Sequence, residues 1–486
     1  MLAWVWHPLP RREHMSLTLF LVSFYTLVGA YWLVRPLKVG VFVALVGLSS
    51  EPEAKLGTLV VLLPILLGYN AAVARVTDMK RLVAVVAGAY AAIFAAIGLV
   101  LPIALASSSS PSPSLSASWA WLGWVTDWVI ESFGSVCVAM MWSVLSSVLA
   151  SRPKATAAHV YPLAVVVCQL GAITGASLAT RTASLGFGFM FFVGAAAVAG
   201  VIVTSSAAVS YAAASAAAAP SEAAEAGLLS GGQLAAQIET LEDKNAPQAA
   251  ASASHLPPPR GGRGSAAQRR QRRQTGLLEG LIIIGTDTYV GGILVVSTFA
   301  ELIGTILDYQ MKVVAKREYA TPEAFAGFMG YFGVAVNSMS LVFALVGTKR
   351  FLAMFGLRAA LLAYPLGCAS VVGLVYLAPS LAFMFVGMVA LKAFNYSLNN
   401  PAKELLYLST TPDVRFKAKS WIDMFGTRLA KGVGASITAR LKNSTAALLE
   451  SGSLVSAGFA AVWIMVASSV GRQYARRAAA GSASGS

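Results

Sequence analysis

Long apolar runs recur along the whole of this 486-residue chain, and each is long enough to cross a lipid bilayer as a helix. The hydrocarbon core of a bilayer needs roughly 20 apolar residues of α-helix, because a helix rises only about 1.5 Å per residue. Only 12% of the residues are charged, whereas soluble domains carry about 25%. The sequence therefore predicts an all-α polytopic membrane protein and excludes a single soluble domain.

Twelve of these runs are candidate membrane spans, six on each side of a polar stretch. The predicted spans are 17–37, 56–75, 82–104, 119–149, 159–180, 186–213, 281–308, 325–347, 351–376, 380–399, 421–440 and 453–471. The stretch between the two sets is rich in Ala, Ser, Gly and Pro and cannot bury a core. We therefore predict a six-helix N-terminal half at 17–213, a disordered basic cytoplasmic linker at 214–276 and a six-helix C-terminal half at 277–473. This arrangement is typical of major-facilitator transporters.

The positive charges of the predicted loops alternate from one side of the membrane to the other. Loops on one side carry basic clusters, such as Lys80 with Arg81 and Arg152 with Lys154, whereas the loop SSSSPSPSLSAS on the other side carries none. Because cytoplasmic loops are the basic ones, we predict that both termini are cytoplasmic. This topology accounts for the formal net charge of +15, so we expect no nucleic-acid partner.

Ionisable residues inside or beside the predicted spans are the most informative feature of the sequence. A charge at membrane depth costs roughly 2.5–3.5 kcal/mol on insertion scales, so it usually faces a cavity or a charged partner. Four places qualify: YWLVRPLKVGVF, with Arg35 and Lys38; span 4, with Glu131 and with Asp127 one turn earlier; TILDYQMK, with Asp308 and Lys312; and the run from Lys403 to Lys431.

Some of these charges also have a simpler interpretation. Arg35 lies near a helix end and could extend to the lipid headgroups. Lys38 is harder to explain in that way, because the apolar VGVFVALVG follows it and Pro36 beside it is expected to break the helix. Asp308 and Lys312 form an i, i+4 pair, which can simply stabilise a helix end.

The remaining charges favour a cavity for an anionic solute. Glu131 has apolar neighbours on both sides, so we expect it to face a central cavity and to pair with a cation from another helix. Cations in such a cavity bind phosphate or carboxylate, and fixed acids balance them when the site is empty. For Lys403, Lys417 and Lys419 the alternative is that they only mark a cytoplasmic loop.

Sequence motifs for catalysis are absent, including Walker A, HExxH and GxSxG. The four histidines lie far apart, and the three cysteines lie in apolar stretches without CxxC spacing. We therefore expect neither an enzyme nor a bound cofactor or metal.

A resemblance to a known family is carried by residues 395–436, NYSLNNPAKELLYLSTTPDVRFKAKSWIDMFGTRLAKGVGAS. The segment resembles the ADP/ATP carrier family of plastids and intracellular bacteria. Members share an asparagine–tyrosine segment, a P-x-K-E-x-x-Y stretch, a basic run, and an aspartate followed by G-x-R and a glycine-rich turn. The matching residues are Asn395, Tyr396, Pro401, Lys403, Glu404, Tyr407, Lys417, Lys419, Asp423, Gly426, Arg428, Lys431 and Gly434.

Three further segments resemble the same family in the same order. In the first, Lys38 takes the position of the family's substrate-binding lysine, with Val39 where an acid commonly follows. In the second, Glu131 takes the position of a functional glutamate. In the third, Asp308 stands where carriers have a glutamate and Lys312 where they have a lysine. The sequence DYQMK is closer to a side branch of the family, major-facilitator-like membrane proteins.

The resemblance implies a secondary ATP:ADP antiporter that works by alternating access between the two six-helix halves. In this hypothesis the cations neutralise nucleotide phosphates, the acids form ion pairs that break and re-form, and the loop lysines act at the cytoplasmic mouth. The candidate substrate-binding residues are Lys38, Arg35, Glu131, Asp308, Lys312, Lys403, Lys417 and Lys419.

Two alternative functions stay open. One is an ion-coupled transporter of another nucleotide or of a phosphorylated or anionic metabolite, with Glu131 as the proton carrier. The other is a membrane scaffold or sensor that has the transporter fold but does not transport. We expect ATP or ADP as the substrate, the lipid bilayer as the environment and a functional monomer; plastid, other organellar and plasma membranes are not distinguished.

Overall fold

The computed structural model describes residues 11–76, 78–108, 118–150, 154–217, 279–407, 410–411 and 414–483. Helices are the regular structure of these residues, and none of these residues lies in a β-strand. The linker predicted at 214–276 lies outside the described residues except for 214–217, which end a helix.

Ten long helices have continuous α-helical backbone, or nearly so. They are α1 (Arg11–Leu45), α2 (Glu51–Arg75), α3 (Met79–Ser108), α4 (Ala120–Leu149), α5 (Lys154–Ala179), α6 (Phe187–Ala217), α7 (Thr288–Glu318), α8 (Pro322–Val342), α9 (Thr348–Leu377) and α12 (Thr445–Ala483). Two others contain π-helical turns. They are α10 (Leu381–Phe394, continuing through Asn395–Asn399 to Asn400–Tyr407) and α11 (π turns Val414–Ala418 and Ile422–Gly426, then Thr427–Leu441).

Eleven helices in the described part of the chain are long and apolar enough to cross a membrane, and each overlaps a predicted span. The span predicted at 281–308 is shifted, because the helix is Thr288–Glu318. The twelfth predicted span, 421–440, falls on α11, which is helical but too rich in charged residues to meet the same standard. Three of the π-helical segments lie between residues 395 and 426. Because π turns are rare and often occur at functional sites, this part of the fold is a candidate functional region.

The helices form two compact units. The first draws on the described residues of Met1–Leu48, Val60–Ser254 and Tyr319–Leu341. The second draws on those of Ser49–Leu59, His255–Glu318 and Val342–Ser486. The boundaries predicted for two sequence halves, at 213 and 277, stay a prediction.

In the first unit, α1 packs against α4, α5 and α6. Gly175 of α5 lies so close to α1 that an added Cβ would be 1.9 Å from the carbonyl oxygen of Gly29. Gly171 faces Tyr25 in the same way, at 2.2 Å. Small residues allow transmembrane helix backbones to approach closely, so these glycines hold α1 firmly in the unit.

The helix α1 continues through Pro36, so the helix break predicted beside Lys38 is wrong. Proline cannot donate to the carbonyl oxygen of Trp32 four residues earlier, but transmembrane helices tolerate this loss where neighbouring helices surround them. Lys38 is consequently part of a regular, buried helical face.

In the second unit, α7 packs against α11 and α12, and α9 packs against α12. Gln310 of α7 donates a hydrogen bond to the carbonyl oxygen of Leu448 at 2.8 Å. On the α11 side, a Cβ added at Gly434 would be 2.9 Å from the carbonyl oxygen of Leu302. The helix α7 is therefore the centre of its unit, and its charged residues are held among neighbouring helices.

Candidate functional site

The first cluster of charges joins α1 to α4 and consists of Lys38, Asp127 and Glu131. The Lys38 Nζ lies 2.9 Å from Asp127 Oδ1 and 2.5 Å from Glu131 Oε1. The side chains of Lys38 and Asp127 are 11% and 8% exposed, whereas that of Glu131 is 36% exposed. One buried cation thus faces two carboxylates, of which only one is accessible to a substantial degree.

Glycines on α4 bring this helix close to α1. A Cβ at Gly134 would lie 2.4 Å from the ring of Tyr31, and one at Gly123 would lie 2.5 Å from the side chain of Val46. Asp127 is four residues after Gly123 and seven before Gly134, so all three lie on the same face of α4. This spacing explains why Asp127 is directed toward Lys38.

The neighbouring cation Arg35 has a different environment. Its guanidinium lies 4.8 Å from the ring centre of Trp32 and 5.8 Å from that of Tyr31. Such cation–π contacts stabilise arginine on an aromatic surface. Arg35 therefore lies against aromatic rings, whereas Lys38 lies between two carboxylates.

The second cluster lies in the other unit and consists of Lys312, Glu51, Asp308, Lys55 and Lys392. The Lys312 Nζ lies 2.5 Å from Glu51 Oε1 and 2.9 Å from Asp308 Oδ2. The Lys55 Nζ lies 3.1 Å and 3.4 Å from the same two carboxylates, and the Lys392 Nζ lies 3.7 Å from Asp308 Oδ1. Three lysines therefore lie around two acids in this second cluster.

A further acid on α7, Glu301, lies among lysines from α10 and α11. Its Oε2 is 3.3 Å from the Lys431 Nζ, and its side chain is 11% exposed. Lys403 and Lys392 are within electrostatic range of the same carboxylate. Glu301 is therefore a second example of a buried acid that lies near several lysines.

The lysines of the 403–419 region contact residues of their own unit. The Lys419 Nζ is 3.0 Å from Glu404 Oε2 and 5.6 Å from the ring centre of Tyr407. The Lys417 Nζ donates a hydrogen bond to Glu279 Oε1 at 2.6 Å. Lys419 is therefore built into the folded unit, whereas Lys417 pairs with a half-exposed glutamate.

The structure joins some of the predicted site residues directly, namely Lys38 with Glu131 and Asp308 with Lys312. The Asp308–Lys312 pair is more than a helix-end contact, because both side chains also pair with residues of α2. The structure also brings in Asp127, which was noted beside Glu131 but was not a candidate site residue, and four residues that the sequence did not single out as site residues: Glu51, Lys55, Lys392 and Glu301. A charge in an apolar span was the signal for Lys392 and Glu301, in MVALKAF and STFAELIG.

Metal ligands do not explain these clusters. Within the described ranges, the structure contains no group of three or more His, Cys, Asp or Glu side chains suited to a metal ion. The lysines beside each carboxylate supply the positive charge that a metal would otherwise supply.

Parts of the chain are similar to known carriers. A family model described as the TLC ATP/ADP transporter matches residues 367–474, which include the 395–436 segment. The ADP,ATP carrier protein 1 of Rickettsia prowazekii is 25% identical over 186 residues, which cover 34% of this chain and 37% of that carrier. Over these residues the chain is similar to the ADP/ATP carriers. The predicted family resemblance is therefore confirmed.

A plastid protein shows a similar relationship. The chloroplastic ADP,ATP carrier protein 2 of Arabidopsis thaliana is 26% identical over 227 residues, which cover 41% of this chain and 36% of that carrier. The matched part of the chain thus spans little more than a third of the length of these curated relatives.

Solved structures show the fold. A mutant of the nucleoside transporter NupG is 12% identical and has a TM-score of 0.54, covering 94% of this chain and 99% of the other. A D-xylose-proton symporter is 16% identical and also has a TM-score of 0.54, covering 94% of this chain and 96% of the other. At such low identity the likeness concerns the fold alone, and it confirms the predicted major-facilitator-like, all-α membrane architecture.

Proposed function

We propose that this protein is an ATP:ADP antiporter, a secondary exchanger of adenine nucleotides that works by alternating access. The observation that carries the proposal is that each compact unit contains a buried lysine on a central helix, Lys38 or Lys312, held between two carboxylates. The matches to the ADP,ATP carriers of Rickettsia and Arabidopsis support adenine nucleotides as the solute.

The physical role of the acids follows from the cost of burying a charge. A buried lysine with no partner is strongly destabilising, so the empty carrier needs carboxylates in place of the substrate's phosphates. When a nucleotide arrives, its phosphates replace a carboxylate, and the ion pair re-forms when the nucleotide leaves. In this scheme Lys38 contacts phosphate, and Glu131, the more exposed of its two partners, is the one that moves away.

The remaining candidate residues have supporting roles in the proposal. Arg35 adds positive charge on the same helix as Lys38. Asp308 and Lys312 act in the second unit as the corresponding exchange pair. Lys403, Lys417 and Lys419 attract the nucleotide at the cytoplasmic mouth, a placement that rests on the alternation of basic loops. The same alternation supports cytoplasmic termini.

Counterflow in proteoliposomes tests the proposal. Vesicles that contain the purified chain and internal ADP should take up labelled ATP, and a proton uncoupler should not reduce the uptake. Lys38→Ala should abolish uptake, whereas Lys80→Ala, at the start of α3, should leave it unchanged. Uptake that does not require internal nucleotide would contradict the exchange mechanism.

An ion-coupled transporter of another phosphorylated solute is the second candidate, with Glu131, the more exposed of the two acids that contact Lys38, as the proton carrier. This candidate function predicts that a proton uncoupler abolishes uptake and that a solute other than ATP is taken up fastest. A non-transporting scaffold or sensor predicts instead that Lys38→Ala and Glu131→Ala leave the cellular function intact.

A further inference from the structure

The first cluster has one more carboxylate than a simple lysine–acid exchange pair requires. Lys38 lies within 3 Å of both Asp127 and Glu131. When all three groups are ionised, the cluster carries two negative charges against one positive charge. An incoming phosphate that displaces only Glu131 would therefore still meet the ionised carboxylate of Asp127 at contact distance from Lys38.

We propose that Asp127 is a proton-binding site, and that it takes up one proton when an anionic phosphate binds at Lys38. The inference rests on the proposed function and adds to it a proton that accompanies each bound nucleotide. The proton enters from the aqueous phase, neutralises the Asp127 carboxylate, and returns to water when the phosphate leaves. Protonated Asp127 can then donate a hydrogen bond to the phosphate instead of repelling it.

Burial distinguishes the two acids. The Asp127 side chain is 8% exposed and is fixed on the glycine-flanked face of α4, so it cannot move into water. The Glu131 side chain is 36% exposed and can turn away from Lys38 while it stays ionised. A carboxylate that cannot leave an anion site loses its charge more readily than one that can.

The other charged groups near Asp127 do not replace this role. On α1, Lys38 faces Asp127 directly and Arg35 lies one turn earlier, against aromatic rings. On α4 itself the nearest acid is Glu131. On α3, the other main neighbour of α4, the Tyr90 hydroxyl donates a hydrogen bond to Ser132 Oγ. Of these groups, the two acids are the ones with ordinary pKa values below neutrality, and only Asp127 is confined.

Proton uptake would not turn the exchanger into a proton pump. In a one-for-one exchange the proton accompanies ATP in one direction and ADP in the other, so no net proton crosses the membrane. The uptake appears instead in the binding equilibrium, where one proton bound per anion makes the dissociation constant rise about tenfold for each pH unit.

The test measures the binding of labelled ATP to the purified full-length chain in detergent by equilibrium dialysis. The pH is varied from about 7.5 to about 9, because the terminal phosphate, whose second pKa is about 6, stays ionised over this range. We expect Kd to rise about tenfold per pH unit for the wild type and for Asp78→Asn, a matched surface control, and to stay constant for Asp127→Asn. A constant wild-type Kd overturns the inference, as does a slope that persists in Asp127→Asn, which would point to Lys38.

Two further measurements cover the other outcomes. If Asp127→Asn does not fold, proton uptake on adding ATP to weakly buffered wild-type protein replaces it, and anything well below one proton per ATP overturns the inference. If ATP does not bind at any pH, the proposed function fails. The inference is then tested by measuring how sulfate, which has no proton to lose in this pH range, changes the melting temperature of the protein. The inference is overturned if sulfate does not stabilise the protein, or if the stabilisation by sulfate does not depend on pH.

Discussion

Breaking the buried ion pair between Lys312 and Glu51 should cost far more stability than breaking a more exposed pair that also involves α2. The Lys312 Nζ lies 2.5 Å from Glu51 Oε1, and the two side chains are only 6% and 8% exposed. Two residues along α2, Glu53 pairs with Lys442, and these two side chains are 40% and 22% exposed. The two pairs therefore form a matched comparison of burial.

The expected magnitude follows from the partners that remain. Removing one member of a buried pair costs about 3–5 kcal/mol, because the other charge is left buried and unpaired. After Lys312→Met, the Lys55 Nζ remains 3.1 Å from Glu51, so we expect a value near the lower end, about 3 kcal/mol. The coupling energy between Lys312→Met and Glu51→Gln should be about 2 kcal/mol, against about 0–1 kcal/mol for the exposed pair.

The assay is a double-mutant cycle on the free energy of unfolding, measured by reversible SDS titration of the purified chain in mixed micelles. Four proteins are needed for each pair: the wild type, two single variants and the double variant. Lys442→Met with Glu53→Gln forms the control cycle. A coupling energy for Lys312 and Glu51 no larger than that of the control pair would refute the reasoning that burial makes this contact strong.

Three other variants test separate parts of the structure. Gly175→Ala should lower the free energy of unfolding, measured by the same SDS titration, by about 1–3 kcal/mol, because its Cβ would meet the backbone of α1. Gly200→Ala should leave the free energy of unfolding unchanged, because the space around Gly200 is open. Glu301→Gln should reduce counterflow roughly tenfold, because it removes a buried charge that balances lysines, whereas the half-exposed Glu279→Gln should retain wild-type uptake. Arg35→Ala should lower thermal stability by about 0.5–1 kcal/mol through lost aromatic stacking, as measured by thermal unfolding in detergent, and Arg35→Lys should lose less.

Much of the helical architecture was predictable because lipid imposes a single rule on every spanning segment. A backbone in hydrocarbon must satisfy its own hydrogen bonds, so each long apolar run becomes a helix. The exception shows the limit of hydropathy: α11 is helical, yet its charges set it apart from the eleven apolar helices. The effect of Pro36 was also mispredicted, because local propensity cannot show that neighbouring helices sustain the helix.

Candidate site residues were predictable where a charge stands alone in an apolar run, as with Lys38 and Glu131. Asp127 was visible one turn before Glu131, but the packing of α4 against α1 decides that both carboxylates meet Lys38 and that Asp127 is the more buried of the two. The partner of Lys312 was not predictable in this way, because Glu51 lies 261 residues away along the chain. Pairing at such a separation depends on how helices pack.

By itself, the sequence determined that this protein is helical, spans a membrane and carries charged residues within apolar segments. These features could be determined from the sequence because the hydropathy of each segment depends only on its own residues. The family resemblance likewise depended on the order of residues within one segment, 395–436. Only the tertiary structure decided that Lys38 faces two acids, that three lysines share Glu51 and Asp308, and that Arg35 stacks on aromatic rings. Electrostatic pairing depends on distances of a few ångströms between helices, and those distances are a property of packing.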